Sequence, residues 1–211
     1  LLCADTNTEA EDWHRCVAAY AEDVRGELVI LDNDGRTIWD VFHKERFIGN
    51  TRADICSRVL KREPLRAWLE ANCDPESTVV DLGFDWTESH RLDRSRPHWD
   101  PWTIAAPLCD PPYRQKADLI ADAESRSLPI PRLYKAGFSH NNCGGACVKA
   151  GQAQWALLLR TDRSTYLHNE GEEERFRAEV GKDEAGSISC RVAADNGRLV
   201  ADLIWREGHW L

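Results

Sequence analysis

Apolar residues fall in short blocks separated by polar loops, and the spacing within the blocks alternates between strand-like and helix-like. Leu1 to Ala4 is apolar and leads into Asp5-Thr6-Asn7. Thr8 and Glu11 then have capping-box spacing ahead of Trp13, Val17, Tyr20 and Val24, which recur at helical intervals. This predicts strand, loop, helix. Leu28-Val29-Ile30-Leu31 is a continuous apolar run closed by Asp32-Asn33-Asp34-Gly35, the pattern of a buried strand and turn. A short helix is predicted over 37–45, and Pro64 is suited to the first position of another that carries Leu65, Trp68 and Leu69 inward. Residues 78–83 predict a third strand.

The proline-rich stretch 93–112 has little periodicity and is expected to be an ordered loop over the sheet, with Trp99 and Trp102 as packing residues. A helix over 113–127, stopped by Leu128-Pro129-Ile130-Pro131, precedes a loop rich in glycine and cysteine. Helical patterns follow at 152–160 and around 166–180, where Glu172-Glu173-Glu174 is expected to be a solvated face. Residues 187–192 and 199–205 flank Asp195-Asn196-Gly197, and Asn-Gly favours the positive φ angles of a tight hairpin turn.

Strands alternating with helices through short loops imply an α/β fold with a mainly parallel twisted sheet and helices on both faces. Ligands of such folds gather beyond the carboxyl ends of the strands. The expected organisation is an α/β core over 1–135, a cysteine-containing loop and helices over 136–182, and a tail over 183–211 that forms a hairpin.

Composition narrows the function classes. A length of 211 residues supports one substantial core, and a formal net charge of -9 argues against a broad basic face for nucleic acid. No apolar run approaches the roughly 20 residues that span a bilayer, so no membrane partner is expected. The sequence has no methionine and opens on what reads as a strand under way, which suggests that the natural start lies upstream. Eight cysteines in a chain of this length, without an export signal, favour a reducing cytoplasm with metal or redox chemistry over a disulfide framework.

Three segments carry candidate chemistry. Cys143-Gly144-Gly145-Ala146-Cys147 places two thiols around glycines that let the backbone fold tightly about a common ion. Two thiols do not complete a four-coordinate site, so Cys56 is the candidate third ligand and Cys109 the fourth. Buried, unliganded thiols are the plain alternative. In Cys56-Ser57-Arg58-Val59-Leu60-Lys61, Arg58 and Lys61 are three apart and on one helical turn would grip a phosphate or sulfate. A solvated basic helix end would look the same. After the third strand, Gly83 allows close backbone approach while Asp85, Glu88 and Arg91 offer hydrogen bonds to a polar ligand, with Thr87 or Ser89 as an ordinary helix cap the alternative.

In this order the segments resemble the phosphoadenosine phosphosulfate (PAPS) reductase-like branch of the adenine-nucleotide α-hydrolase, or ATP-pyrophosphatase, superfamily. The resemblance runs from Leu1 to about Lys182. It rests on Leu2-Cys3-Ala4-Asp5-Thr6, on Cys56 to Lys61 with Glu63-Pro64-Leu65, and on Gly83, Glu88, Ser89 and Arg91. It continues through Pro107-Leu108, Leu128-Pro129, Pro131, Leu133-Tyr134 and Gly137-Phe138 to Cys143.

The resemblance implies a HUP-like sheet and an enzyme that binds an adenine nucleotide with Mg²⁺ and adenylates an acceptor for sulfur transfer. Asp5, Thr6, Gly83 and Glu88 would then line the nucleotide, Lys61 would meet phosphate, and Cys56, Cys143 and Cys147 would bind a [4Fe-4S] cluster. A nucleic-acid or other sulfur acceptor and a homodimer are left open as partners. A sulfonucleotide reductase using an external thiol, and a zinc-stabilised binding module, are the alternatives. The family's Ser-Gly-Gly phosphate loop has no counterpart here, so this stretch alone is expected to bind nucleotide poorly and to be inactive. Asp85 stands where the reductases commonly place arginine, and the tail 206–211 lacks their nucleophilic cysteine.

Overall fold

Local chemistry sets the clearest element boundary in the chain. Thr37 has extended backbone angles, its hydroxyl accepts from the Asp40 backbone N–H, and the Asp40 carboxylate accepts from the Thr37 N–H in return. This reciprocal cap starts a helix at Ile38, and a left-handed Arg46 stops it after Glu45. The helix buries Ile38, Trp39, Val41 and Phe42, the face that its periodicity predicts.

The computed structural model describes residues 1–50, 53–180, 192–195, 198–201, 205–206 and 209–210. In order, the elements are β1 (Leu2–Asp5), α1 (Trp13–Asp23), β2 (Val29–Asp32), α2 (Ile38–Glu45), α3 (Ile55–Ser57), α4 (Glu63–Asn72), β3 (Val79–Asp81), α5 (Ser89–Trp99) and β4 (Thr103–Ala105). They continue with α6 (Lys116–Ser125), α7 (Arg132–Lys135), α8 (Gln152–Thr161), α9 (Arg163–Val180), β5 (Val192–Asp195), β6 (Arg198–Ala201), β7 (Trp205–Arg206) and β8 (His209–Trp210). The fold is mixed α/β with two small parallel sheets, β1 beside β2 and β3 beside β4, where Val79, Val80 and Asp81 pair with Thr103, Ile104 and Ala105. The α/β class is as expected; the parallel sheets are smaller than the expectation.

Two compact units are built from interleaved segments. The first comprises Leu1–Cys3, Arg15–Leu31 and Arg62–Ile130. Its core gathers Leu69, Trp99 and Trp102, with Leu2, Leu65, Trp68, Val80, Leu82 and Ile104 packed around them. Pro64 lies in the first turn of α4, whose Leu69 is buried and whose Leu65 and Trp68 are partly so. The stretch expected as a loop instead forms most of α5 and all of β4. Apolar anchors override its proline content: Leu92 and Trp99 are buried on α5 despite Pro97, and Trp102 is buried just before β4.

The second unit comprises Ala4–His14, Asp32–Lys61 and Pro131–Leu211. One cluster joins α2 to Ile48, Cys56, Leu60, Cys143 and Phe176. Another joins Ala10, Leu133, Phe138 and Ala146 to Trp155, Leu158, Leu159 and Tyr166. A buried hydrogen bond from the Trp39 indole to Asn169 Oδ1 (2.9 Å) ties α2 to α9. The acidic run on α9 is not a simple solvated face. Glu173 is buried and ion-paired to Arg177, because the inward stripe of the helix passes through it between Tyr166, Asn169 and Phe176. In the tail, β5 and β6 pair antiparallel from Val192↔Ala201 to Asp195↔Arg198, whereas the strands expected over 187–192 and 199–205 fall largely outside the described residues.

Candidate functional site

The second unit brings two of the three chemistry-bearing segments, and the Asp5-Thr6 loop that the family resemblance implied, together at a carboxylate that the sequence reading passed over. The Glu9 side chain is only 5% exposed. Its Oε1 accepts from Lys61 Nζ at 2.9 Å and from Thr6 Oγ1 at 3.0 Å, while Oε2 accepts from the Cys143 backbone N–H at 3.1 Å. One side chain therefore links the loop after β1, the segment 58–61 and the cysteine loop.

Each contributor is positioned by local structure. Asn33, itself buried, donates to the backbone carbonyls of Asp5 and Leu60 (2.5 and 2.9 Å), clamping the end of β1 to the segment before Lys61. A π-helical turn over Arg58–Arg62 buries Leu60 and leaves Arg58 exposed. Thr6 is 2% exposed and bonds to the Thr8 hydroxyl as well as to Glu9. The Thr-x-x-Glu pattern in use is thus Thr6 to Glu9, and α1 begins only at Trp13. Asp5 is buried, accepts from the Asn7 backbone N–H and pairs with His14 Nε2 at 2.9 Å.

The cysteine loop is a turn in left-handed backbone: φ is 50° at Cys143, 59° at Gly144 and 94° at Gly145. Glycine is required at Gly145 on two counts. Its φ is unfavourable for other residues, and a Cβ there would stand 2.9 Å from Phe138 Cε1 and 3.1 Å from Leu158 Cδ1. The turn closes with the Ala146 N–H on the Cys143 carbonyl (2.9 Å) and brings the Cys143 thiol into a hydrogen bond with Cys147.

Electrostatics separates the two thiols. The hydrogen bond received from Cys143 holds Cys147 down at about 6, with help from the Lys149 backbone N–H and the Lys149 and Lys61 charges against the opposing effect of burial. Cys143 is pushed well up, because it donates that hydrogen bond and is buried beside Glu9. Burial also raises Cys56, with a smaller effect from the nearby Cys147. For Lys61, burial is the largest single effect and favours the neutral amine, but the charge and hydrogen bond of Glu9 together with Cys143 and Cys147 outweigh it and lift the ammonium above its usual range.

Of the predicted site residues, Asp5, Thr6, Cys56, Arg58, Lys61, Cys143 and Cys147 belong to this unit, and all but Arg58 have partly or fully buried side chains. Gly83, Asp85, Glu88, Arg91 and Cys109 belong to the other unit. There Asp85 caps a 3₁₀ turn by accepting from the Thr87 N–H and hydroxyl (2.8 and 2.5 Å), and those bonds lower its pKa. Glu88 pairs with Arg91, whose guanidinium lies 4.8 Å from the centre of the Phe84 ring, and the Cys109 thiol donates to the carbonyls of Phe84 and Asp85.

Among its described residues the unit contributes three thiols, Cys56, Cys143 and Cys147, and the Lys61 charge acts on the last two. Among the described residues, no group of three or more His, Cys, Asp or Glu side chains is arranged to hold a metal ion. No helix of the described residues is long and apolar enough to cross a membrane. The chain matches no family model, no curated protein and no solved structure.

Proposed function

We propose that the chain is part of a PAPS reductase-like, ATP-pyrophosphatase-type enzyme that activates an acceptor by adenylation and delivers sulfur to it. The observation that carries this reading is the meeting of the Asp5-Thr6 loop, the segment Cys56 to Lys61 and the loop Cys143 to Cys147 around Glu9. Such a site has a cation for developing phosphate charge and, beside it, a thiol that is ionised near neutral pH. The reaction would cleave ATP between its α and β phosphates, with Mg²⁺ entering on the nucleotide, and a sulfur nucleophile would then displace AMP from the adenylated acceptor. Lys61 would leave Glu9 to meet the phosphates. The reading carries with it a HUP-like sheet, to which two parallel strand pairs are suited, and a reducing cytoplasm, which would keep its cysteines reduced.

A second reading, a cysteine-bound [4Fe-4S] cluster, is favoured by the closeness of Cys56 to the Cys143 and Cys147 pair. Both readings are tested on one preparation of the full-length protein, purified without oxygen. ATP–pyrophosphate exchange that requires Mg²⁺ and is lost in Lys61→Ala supports the adenylation reading, and no exchange at saturating ATP with any candidate acceptor refutes it. Iron and acid-labile sulfide, lost in Cys143→Ala, support the cluster; zinc in their place makes the centre structural.

A further inference from the structure

The cysteine loop pairs a buried thiol with a more accessible one. Cys143 is buried and donates to Cys147, while Cys147 is half-buried and so the more accessible of the two. The backbone between them is held in a reversed turn by glycines that other residues cannot replace without strain. The Cys143 N–H is fixed by Glu9, and the Cys147 sulfur accepts the Lys149 N–H. An accessible sulfur and a buried partner already in contact with it are the two parts of a thiol–disulfide exchange centre.

We infer that Cys147 and Cys143 form a two-electron dithiol centre that reduces small disulfides, Cys147 attacking and Cys143 resolving. In the first step the Cys147 sulfur bonds to one sulfur of the external disulfide, whose S–S bond breaks and releases one thiolate. In the second the Cys143 sulfur, giving its proton to solvent, attacks Cys147 Sγ and expels the second thiolate. The two leaving thiolates take up protons, so two protein thiols are oxidised to one internal disulfide and one external disulfide is reduced to two thiols. A thiol reductant of the same class restores the centre. The Lys61 charge acts on both sulfurs and favours the thiolate form that attacks in each step.

Thiol–disulfide exchange at this pair requires neither ATP nor iron, so it survives or fails separately from adenylation. The test uses the reduced, metal-free full chain with oxidised glutathione as probe, followed by alkylation of remaining thiols and peptide mapping by mass spectrometry. The expected product is an internal Cys143–Cys147 disulfide with two glutathione thiols released per chain. Cys143→Ser is expected to stop at a mixed disulfide on Cys147 after releasing one. Cys147→Ser is expected to release thiol at least about tenfold more slowly, since only the buried sulfur remains. Cys147→Ala and far-ultraviolet circular dichroism of each variant separate loss of the centre from loss of the fold. Glutathione on Cys73 or Cys109 with no linkage at Cys147, or a folded Cys147→Ser that retains the wild-type rate, would overturn the inference.

Discussion

Glu9 gives the most decisive test of the site. Glu9→Gln keeps the shape of the side chain but removes its charge and turns one acceptor oxygen into a donor. Either Lys61 or the Cys143 N–H then loses its partner, because Oε1 and Oε2 serve different donors. Removing one member of a buried ion pair costs about 3–5 kcal/mol. The Lys61 side chain is 33% exposed and recovers some hydration, which lowers the expected loss to about 2–3 kcal/mol.

The assay is urea unfolding at pH 7 followed by circular dichroism, comparing midpoints at unchanged slope. Glu11→Gln, at an 82% exposed side chain, is the control and should move stability by less than about 0.5 kcal/mol. The double variant Glu9→Gln/Lys61→Met should be about 1 kcal/mol more stable than Glu9→Gln alone, because it removes the stranded ammonium. A Glu9→Gln protein within about 0.5 kcal/mol of wild type would refute the argument that this carboxylate holds the site together.

Four further outcomes are expected. Gly145→Ala should cost about 2–4 kcal/mol from backbone strain and the contact with Phe138, read as a lower urea midpoint. Gly83→Ala has open space around its Cβ and should cost less than about 1 kcal/mol, so any effect of it on ATP binding would report approach of the nucleotide. Asp162 supports the acid limb of stability. Burial would raise its pKa, but hydrogen bonds from Thr165, Ser164 and Arg132 hold it at about 2 against 3.8. Its contribution, about 1–2 kcal/mol after allowance for solvent screening, is present above about pH 4 and lost as pH falls towards 2. Asp162→Asn should flatten that limb in urea titrations between pH 2 and 6. Iodoacetamide should modify Cys147 well below the pH at which ordinary thiols react, with a midpoint near 6 that rises in Cys143→Ala, since the main cause of the depression is the Cys143 hydrogen bond.

Periodicity alone located α2, α4, α8 and α9, because each carries an inward stripe at helical spacing. It failed where local and tertiary preferences conflict. Residues 93–112 look broken by proline, yet burial of Leu92, Trp99 and Trp102 organises them into helix and strand. Glu173 looks like part of a solvated acidic face until its place on the buried stripe of α9 is known. The site divides in the same way. Thiols with glycines between them and a lysine near a cysteine are visible as residue types, since their chemistry is intrinsic.

Their meeting is not visible in that way. Glu9 shares no periodic pattern or motif with Lys61 or Cys143, and the only local hint, Thr6 at capping distance, was overshadowed by the same spacing at Thr8 and Glu11. Pairing a carboxylate with groups 52 and 134 residues away requires the chain to close those loops, and only the packed core of the second unit supplies the free energy to do so. Residue chemistry belongs to the sequence, whereas which charge faces which thiol is decided by tertiary packing.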